Sequence, residues 1–167
     1  MDLELRALTA NDGMDVYEML QEIPKDENGF MNGANGLTPA EYIQWLARAA
    51  EVARGEGLED WMVPQSTYWL YADGRPVGVG KVRHRLTEKL LADGGHIGYA
   101  IRPDSRGMGY GKAQLKQLLA EAKKLGIGKI LLTIRNYNTP SLKVALTCGG
   151  VIEKVTEEKH YIWIECR

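Results

Sequence analysis

Cysteine is scarce in this chain: Cys148 and Cys166 are the only two in 167 residues. They lie far from any metal-ligand spacing and supply no disulfide framework, so neither a metal site nor a stapled secreted scaffold is expected. Long apolar runs are missing as well, which argues against a membrane span. The first residues, Met1-Asp2-Leu3-Glu4, carry acid where a signal peptide would need base. These absences read as a cytoplasmic protein with no membrane partner. Internal repeats, low-complexity tracts and breaks in composition are absent too, so residues 1–167 read as one domain. A chain of this length buries about 70% of its unfolded surface.

What is present is ordinary in amount and uneven in placement. Apolar residues make up 44% and charged residues 26%, with a net charge of −1. Residues 1–60 carry 13 acids and 4 bases, whereas residues 81–135 carry 12 bases and 4 acids. A basic half suits an anionic cofactor, and an acidic half suits a cationic second substrate. Nucleic-acid binding is a poor fit, because the bases are spread over helix and loop and the total charge is slightly negative.

Leu3, Leu5 and Ala7 alternate with charged residues and predict a first strand. Residues 12–21 predict a short helix with Val16, Met19 and Leu20 on one face and Asp12 as its cap. Residues 24–37 read as a loop holding the only phenylalanine, Phe30. Thr38-Pro39-Ala40-Glu41 is a capping box with proline in the first turn, opening a helix with Tyr42, Trp45, Leu46, Ala49 and Ala53 at helical spacing. Residues 55–66 read as a second loop in which Trp61, Val63 and Pro64 pack down. Strands follow at 67–71, 76–85 and 95–102, joined by Asp73-Gly74 and Asp93-Gly94 turns.

A second helix face is carried by Leu115, Leu118, Leu119, Ala122 and Leu125, ending at Gly126. Residues 129–135 are too continuously apolar for an edge strand. The strand–helix–strand order implies a parallel pair with a glycine loop at the carboxyl end of its first strand. Thr139 and Pro140 start another helix, and residues 151–156 and 160–165 close the chain as a hairpin.

The glycine loop is Arg106-Gly107-Met108-Gly109-Tyr110-Gly111. Alternating glycines in front of a helix leave amide N–H groups uncovered, and with the helix dipole they form a site for phosphate oxygens. Two nucleotide motifs are excluded. The spacing is G-x-G-x-G instead of G-x-G-x-x-G, and no acidic residue is in place on a following strand for a ribose. The triphosphate loop fails because Arg106 stands where its first glycine would be and Ala113 replaces its hydroxyl.

The loop and its surroundings resemble the GNAT N-acetyltransferases, whose signature [QR]-x-x-G-x-[GA] is matched by Arg106, Gly109 and Gly111. Ile101-Arg102-Pro103 before it, Ile130 to Ile134 after it, then Asn138 and Gly149-Gly150 extend the likeness over residues 68–152. The stretch from Gly94 to Gly111 is similar to a subgroup of acetyltransferases whose acceptors are unassigned. The resemblance implies an α/β (α+β) fold with a mixed, mostly antiparallel twisted sheet of six to seven strands. Helices cover both faces, and the parallel pair surrounds the cofactor loop. It implies acetyl-CoA as acyl donor and an amine of a small molecule or peptide as acceptor. Residues 106–111 (Arg106, Gly107, Met108, Gly109, Tyr110 and Gly111) would hold the pyrophosphate, Ala100 and Ile101 would offer backbone groups to the pantetheine arm, and Asn138 and Ser141 would lie along that arm.

Direct transfer to an amine needs a route for the amine proton, a donor to the leaving thiolate and a donor to the thioester oxygen. The last is expected from a backbone amide between Tyr99 and Ile101, where the strand splays. Many relatives of this type carry a glutamate at the start of that strand and a tyrosine in the helix after the asparagine. Gly95 and His96 occupy the first place, and residues 142–149 contain no tyrosine. His96 is the candidate base, with His84 behind it and water as the remaining route. Cys148 reads as a buried filler. The acidic first 60 residues and the loop 24–37 suggest a cationic amine. A non-catalytic acyl-CoA-binding module, sensing or pairing with a partner, is the alternative, and a homodimer is left open.

Overall fold

The computed structural model describes residues 1–167. The chain runs β1 (Leu3–Ala7), α1 (Met14–Glu22), β2 (Asp26–Glu27), β3 (Phe30–Met31), α2 (Pro39–Ala53), β4 (Gln65–Ala72) and β5 (Arg75–Arg83). It continues α3 (Glu88–Ala92), β6 (Ile97–Ile101), α4 (Tyr110–Lys124), β7 (Lys129–Arg135), α5 (Thr139–Thr147), β8 (Val151–Val155) and β9 (Lys159–Glu165). The strands form a four-stranded sheet in the order β1-β4-β5-β6, a three-stranded sheet β7-β9-β8 and the small hairpin β2-β3.

Alternation along the strands sends side chains to two cores. On one face, Leu115, Leu118 and Ala122 of α4 and Ala145 of α5 pack with Tyr68, Val82, Ile97, Ile130, Leu132 and Ile134. On the other, Val16, Met19 and Leu20 of α1 and Tyr42 and Leu46 of α2 pack with Trp69, Tyr71, Val79 and Ala100. Burying one such leucine or valine contributes about 1.5–3 kcal/mol. The aromatic stripe of α2 is core: Tyr42 stacks on Trp45, and Trp45 lies 6.4 Å from Trp69. Gly80 lets α4 come close to the sheet, because a Cβ there would stand 2.7 Å from Leu118 Cδ1.

The capping box at Thr38 and Glu41 is formed in both directions. The cap of α1 is Gly13, because Asp12 is drawn off to accept hydrogen bonds from Thr9 N–H and Trp69 Nε1–H. The cap of α5 is Asn138 in place of Thr139, its Oδ1 accepting from Ser141 N–H. Residues 88–92, read as connection, form α3 with Thr87 as cap. Val63 packs down, whereas Trp61 is 69% exposed; its indole N–H is held outward by Glu59.

The expected parallel pair is reduced to a point of contact. His96 N–H donates to the Leu131 carbonyl at 2.9 Å. The Leu131 N–H is taken by the His96 imidazole Nδ1, also at 2.9 Å, and not by a backbone carbonyl. A ring nitrogen therefore ends the ladder where it would have begun. Gly95, with φ of +60°, allows this approach, since a Cβ there would overlap the Leu131 carbonyl. Every ladder in the molecule is antiparallel, and beyond His96 the strands β6 and β7 splay into a V.

Candidate active site

The V opens into a cleft of about 690 Å³. One wall is the carboxyl end of β6 with the start of α4; the other is β7 with the start of α5. The hairpin β2-β3 lies across it. The hairpin turns on Asn28 and Gly29, both with positive φ, as a two-residue Asn-Gly turn requires. It is fastened to the β5–β6 side of the V. Phe30 covers Gly98, Lys81 Nζ donates to the Met31 carbonyl, and Arg106 forms a bidentate pair with Glu27.

The floor on the β6–α4 side is main chain. Gly107 and Gly109 have φ of +77° and +82°, which only glycine adopts freely. Gly109 caps α4 without a side chain. Ala113 N–H is the first in the helix to find a carbonyl, that of Gly109. The six consecutive N–H groups from Gly107 to Lys112 have no acceptor in the protein. They stand at the positive end of a 15-residue helix, an arrangement suited to an anion.

The β6 edge adds to it. His96 carbonyl accepts from Arg83 N–H, and Arg102 N–H donates to Val77 carbonyl. With the register Val79↔Ala100 between them, the alternation of an antiparallel ladder turns the main-chain groups of Ala100 toward β5. Those of Tyr99 and Ile101 turn toward the V. Ala100 therefore lines the cleft with its main-chain groups already paired, and Tyr99 supplies the backbone groups expected of it. The sequence points to Tyr99 only as one end of the stretch donating to the thioester oxygen, because which residues face a free edge depends on the register with β5.

The other expected residues fall as follows. Arg106, Gly107, Gly109, Gly111, Ile101, Asn138 and Ser141 line the cleft. Tyr110 does so through its backbone, its ring being buried against Leu70, Ala72 and Val77. Met108 points away and is 57% exposed. The Arg106 guanidinium, expected on phosphate, is engaged by Glu27 and by the Ile101 carbonyl at 3.0 Å. Asn138 keeps its side-chain N–H groups free after capping α5. The Tyr99 phenol sits beside Ser141, and burial pushes its pKa up to about 12.

His96 does not reach the cleft. It is buried, and accepting from Leu131 N–H commits its Nδ1 lone pair. In the neutral ring the remaining hydrogen is then on Nε2, which leaves no basic nitrogen for an acceptor amine. Burial and the nearby Arg83 also push its pKa down. His84 is likewise occupied, bonded to Ser66 Oγ at 2.7 Å. The sequence motif placed a histidine at the right point in the chain, but the ring serves the strand junction.

The acids of the first 60 residues stay away from the cleft, with Glu27 the exception, and Glu27 is paired. The cleft carries Lys81, Arg83, Arg106, Lys112, Arg135, Lys143 and Lys159 against Glu27 and Asp93. Asp93 is held by the buried Lys159 at 2.6 Å. The face expected to attract a cation is thus on the outer surface of the molecule.

A V-shaped split between two sheets, with an amide cradle at one helix start, defines an acyl-CoA-type transferase fold. Residues 2–151 match the family model described as an acetyltransferase (GNAT) domain, and the chain belongs to that family. No curated protein matches it in sequence. Solved structures similar to it include RimL, a ribosomal-protein alpha-N acetyltransferase in complex with coenzyme A, at a TM-score of 0.73 and 15% identity over 98% of this chain and 93% of that one. Another is the N-acetyltransferase PseH of Campylobacter jejuni with acetyl coenzyme A, at 0.64 and 11% identity over 98% and 99%. A third is mutant forms of the spermidine/spermine N-acetyltransferase SpeG of Vibrio cholerae, at 0.63 and 14% identity over 99% and 95%. At these identities the likeness is one of fold. No helix is long and apolar enough to cross a membrane.

Proposed function

We propose that this protein is an acetyl-CoA-dependent N-acetyltransferase that transfers the acyl group directly to a primary amine. The observation that carries the reading is the run of six unpaired N–H groups from Gly107 to Lys112, opening on the cleft. Side chains do not obstruct it: a Cβ on Gly107 or Gly109 would meet nothing within 4 Å, so the glycines are there for backbone shape. Such a cradle fits the two linked phosphates of coenzyme A, with Lys112 and Lys143 adding charge at its rim. The outward main-chain groups of Tyr99 and the Ile101 N–H suit the peptide-like amides of the pantetheine arm. The free amide hydrogens of Asn138 extend that set toward β7.

The cofactor supplies an activated acyl carbonyl; the chain orients it and excludes water. A Tyr99 or Ile101 N–H is the donor for the acyl oxygen, fixed by the β5 ladder before anything binds. Neither carboxylate in the cleft is free to act as a base, since Glu27 and Asp93 are both paired. The amine proton is then left to water, and holding the two reactants together supplies most of the acceleration.

Calorimetric titration with coenzyme A, followed by thiol release from acetyl-CoA with a panel of primary amines, tests this reading. Micromolar coenzyme A binding and amine-dependent thiol release are expected. Binding without release for any amine would favour the sensor module, and absence of binding would overturn both.

A further inference from the structure

Four cations share the face of the V opposite α4 and α5. Along β7, Ile130, Leu132 and Ile134 face α4, so Leu131, Thr133 and Arg135 face the other way. On β5, Val82 faces α4 and Val79 faces α1 and α2, which puts Lys81 and Arg83 on the same side as Arg135. Lys159 lies opposite Arg135 in the β7–β9 register and joins them. Asp93 neutralises Lys159. Arg83 rests on the carbonyls of Gly94 and Gly95, and Lys81 on that of Met31. Neither meets a carboxylate.

The Arg135 side chain meets no acceptor at all. It lines the cleft, partly buried, with its guanidinium against Gly29 of the hairpin, where a Cβ would stand 3.4 Å from Nη2. No hydrogen bond or ion pair engages its side chain, whereas the other arginine of the cleft mouth, Arg106, has found Glu27. Five donors in a planar fork, held in a cleft beside two further cations that bond only to carbonyls, are suited to a carboxylate or phosphate. Desolvation by the walls and the repulsion from Arg83 already press the Lys81 ammonium down to about 8, a cost that a bound anion would relieve.

Resting on the acetyltransferase reading, we infer that the acceptor is an amine bearing an anionic group, carboxylate or phosphate, which Arg135 receives with Lys81 on the α1–α2 face of the V. The anion would dock between β7 and the hairpin, placing the amine toward the splay where Tyr99 and Ile101 face the donor.

Acetyl transfer to β-alanine, O-phosphoethanolamine, β-alaninamide, ethanolamine and spermidine would be compared for the wild type, Arg135→Gln and Arg135→Lys. The two anionic amines are expected to lead. In Arg135→Gln their KM should rise about 10- to 100-fold, the equivalent of one charge-assisted bond. The KM for acetyl-CoA and for β-alaninamide should move less than about twofold, as only the anion contact is lost. Arg135→Lys should recover part of the loss. β-Alanine against O-phosphoethanolamine distinguishes carboxylate from phosphate. Preference for spermidine or ethanolamine, or equal effects of Arg135→Gln on all five, would overturn the inference while leaving the enzyme reading intact. Were no amine acetylated, saturation-transfer NMR of β-alanine and O-phosphoethanolamine on the coenzyme A complex would still decide it: Arg135-dependent binding supports the site, and its absence overturns it.

Discussion

The two sides of the V use different parts of the polypeptide. The proposed donor side is built from main chain: six free N–H groups over Gly107 to Lys112 and the outward edge of Tyr99 and Ile101. The proposed acceptor side is built from side chains, Lys81, Arg83 and Arg135, brought from two strands and 54 residues apart at their extremes. Main-chain donors are blind to the identity of the residue that carries them, provided the backbone can take the shape. Side-chain cations depend on register, face and neighbour. A surface that serves a common cofactor can therefore vary little in kind, while the opposite face is free to be rebuilt for each acceptor.

The sharpest way to break this contrast is at the loop. Gly109→Val forces a β-branched residue to φ of +82°, at a strain of about 1–2 kcal/mol, and turns at least one amide off its phosphate at about 1.5–3 kcal/mol more. Coenzyme A affinity should fall on the order of 100-fold. Met108→Ala, between the two glycines but pointing to solvent, should leave it unchanged. Calorimetry on both variants decides the point. Equal losses would mean that side chains matter in the cradle after all.

The strand junction that creates both sides comes next. His96→Ala removes the acceptor for the buried Leu131 N–H, which should lower unfolding stability by about 1–3 kcal/mol in denaturant titrations. Turnover per folded molecule should change little, whereas loss of a general base would cost about 10²- to 10⁴-fold. Stability should also depend on pH. With its folded pKa below the usual 6.5, the neutral ring's contribution is present above pH 6.5 and is lost as pH falls through the depressed folded value. His96→Ala should flatten that acid limb. A large loss of turnover with unchanged stability would restore His96 to catalysis.

The same division explains what was legible in the chain. The donor side announced itself because glycine spacing, a following helix and neighbouring Pro103 are local signals, and Thr38-Pro39-Ala40-Glu41 was equally plain for α2. Asn28-Gly29 also carried a strong turn signal, but strands of two residues show no alternation, so the hairpin read as loop. Arg135 ends an apolar strand and belongs to no motif. Its importance arises from being on the odd face of β7, opposite Lys159 and across from Lys81, and from lacking the carboxylate that Lys159 and Arg106 found. Charge totals misled for the same reason: the acids of residues 1–60 are near the cleft in sequence only, and Glu27 alone reaches it. His96 was placed correctly in the chain and wrongly in chemistry, since only tertiary structure shows that its Nδ1 is taken.

The finest test of the acceptor side is a titration. Lys81 is held down to about 8 by burial and by Arg83, so its charge is complete below that pH and is lost as pH rises through it. Arg135 stays charged throughout. Raising the pH also deprotonates the acceptor amine, which improves every substrate, so the informative quantity is the ratio of kcat/KM for an anionic amine to that for a neutral amine of matched basicity. That ratio should fall about three- to fivefold between pH 7 and 9, corresponding to a Coulomb attraction of about 1 kcal/mol across a partly wet cleft. Lys81→Met should start at the lower value and show no step. A ratio that is flat in the wild type would remove Lys81 from the anion site and leave Arg135 to act alone.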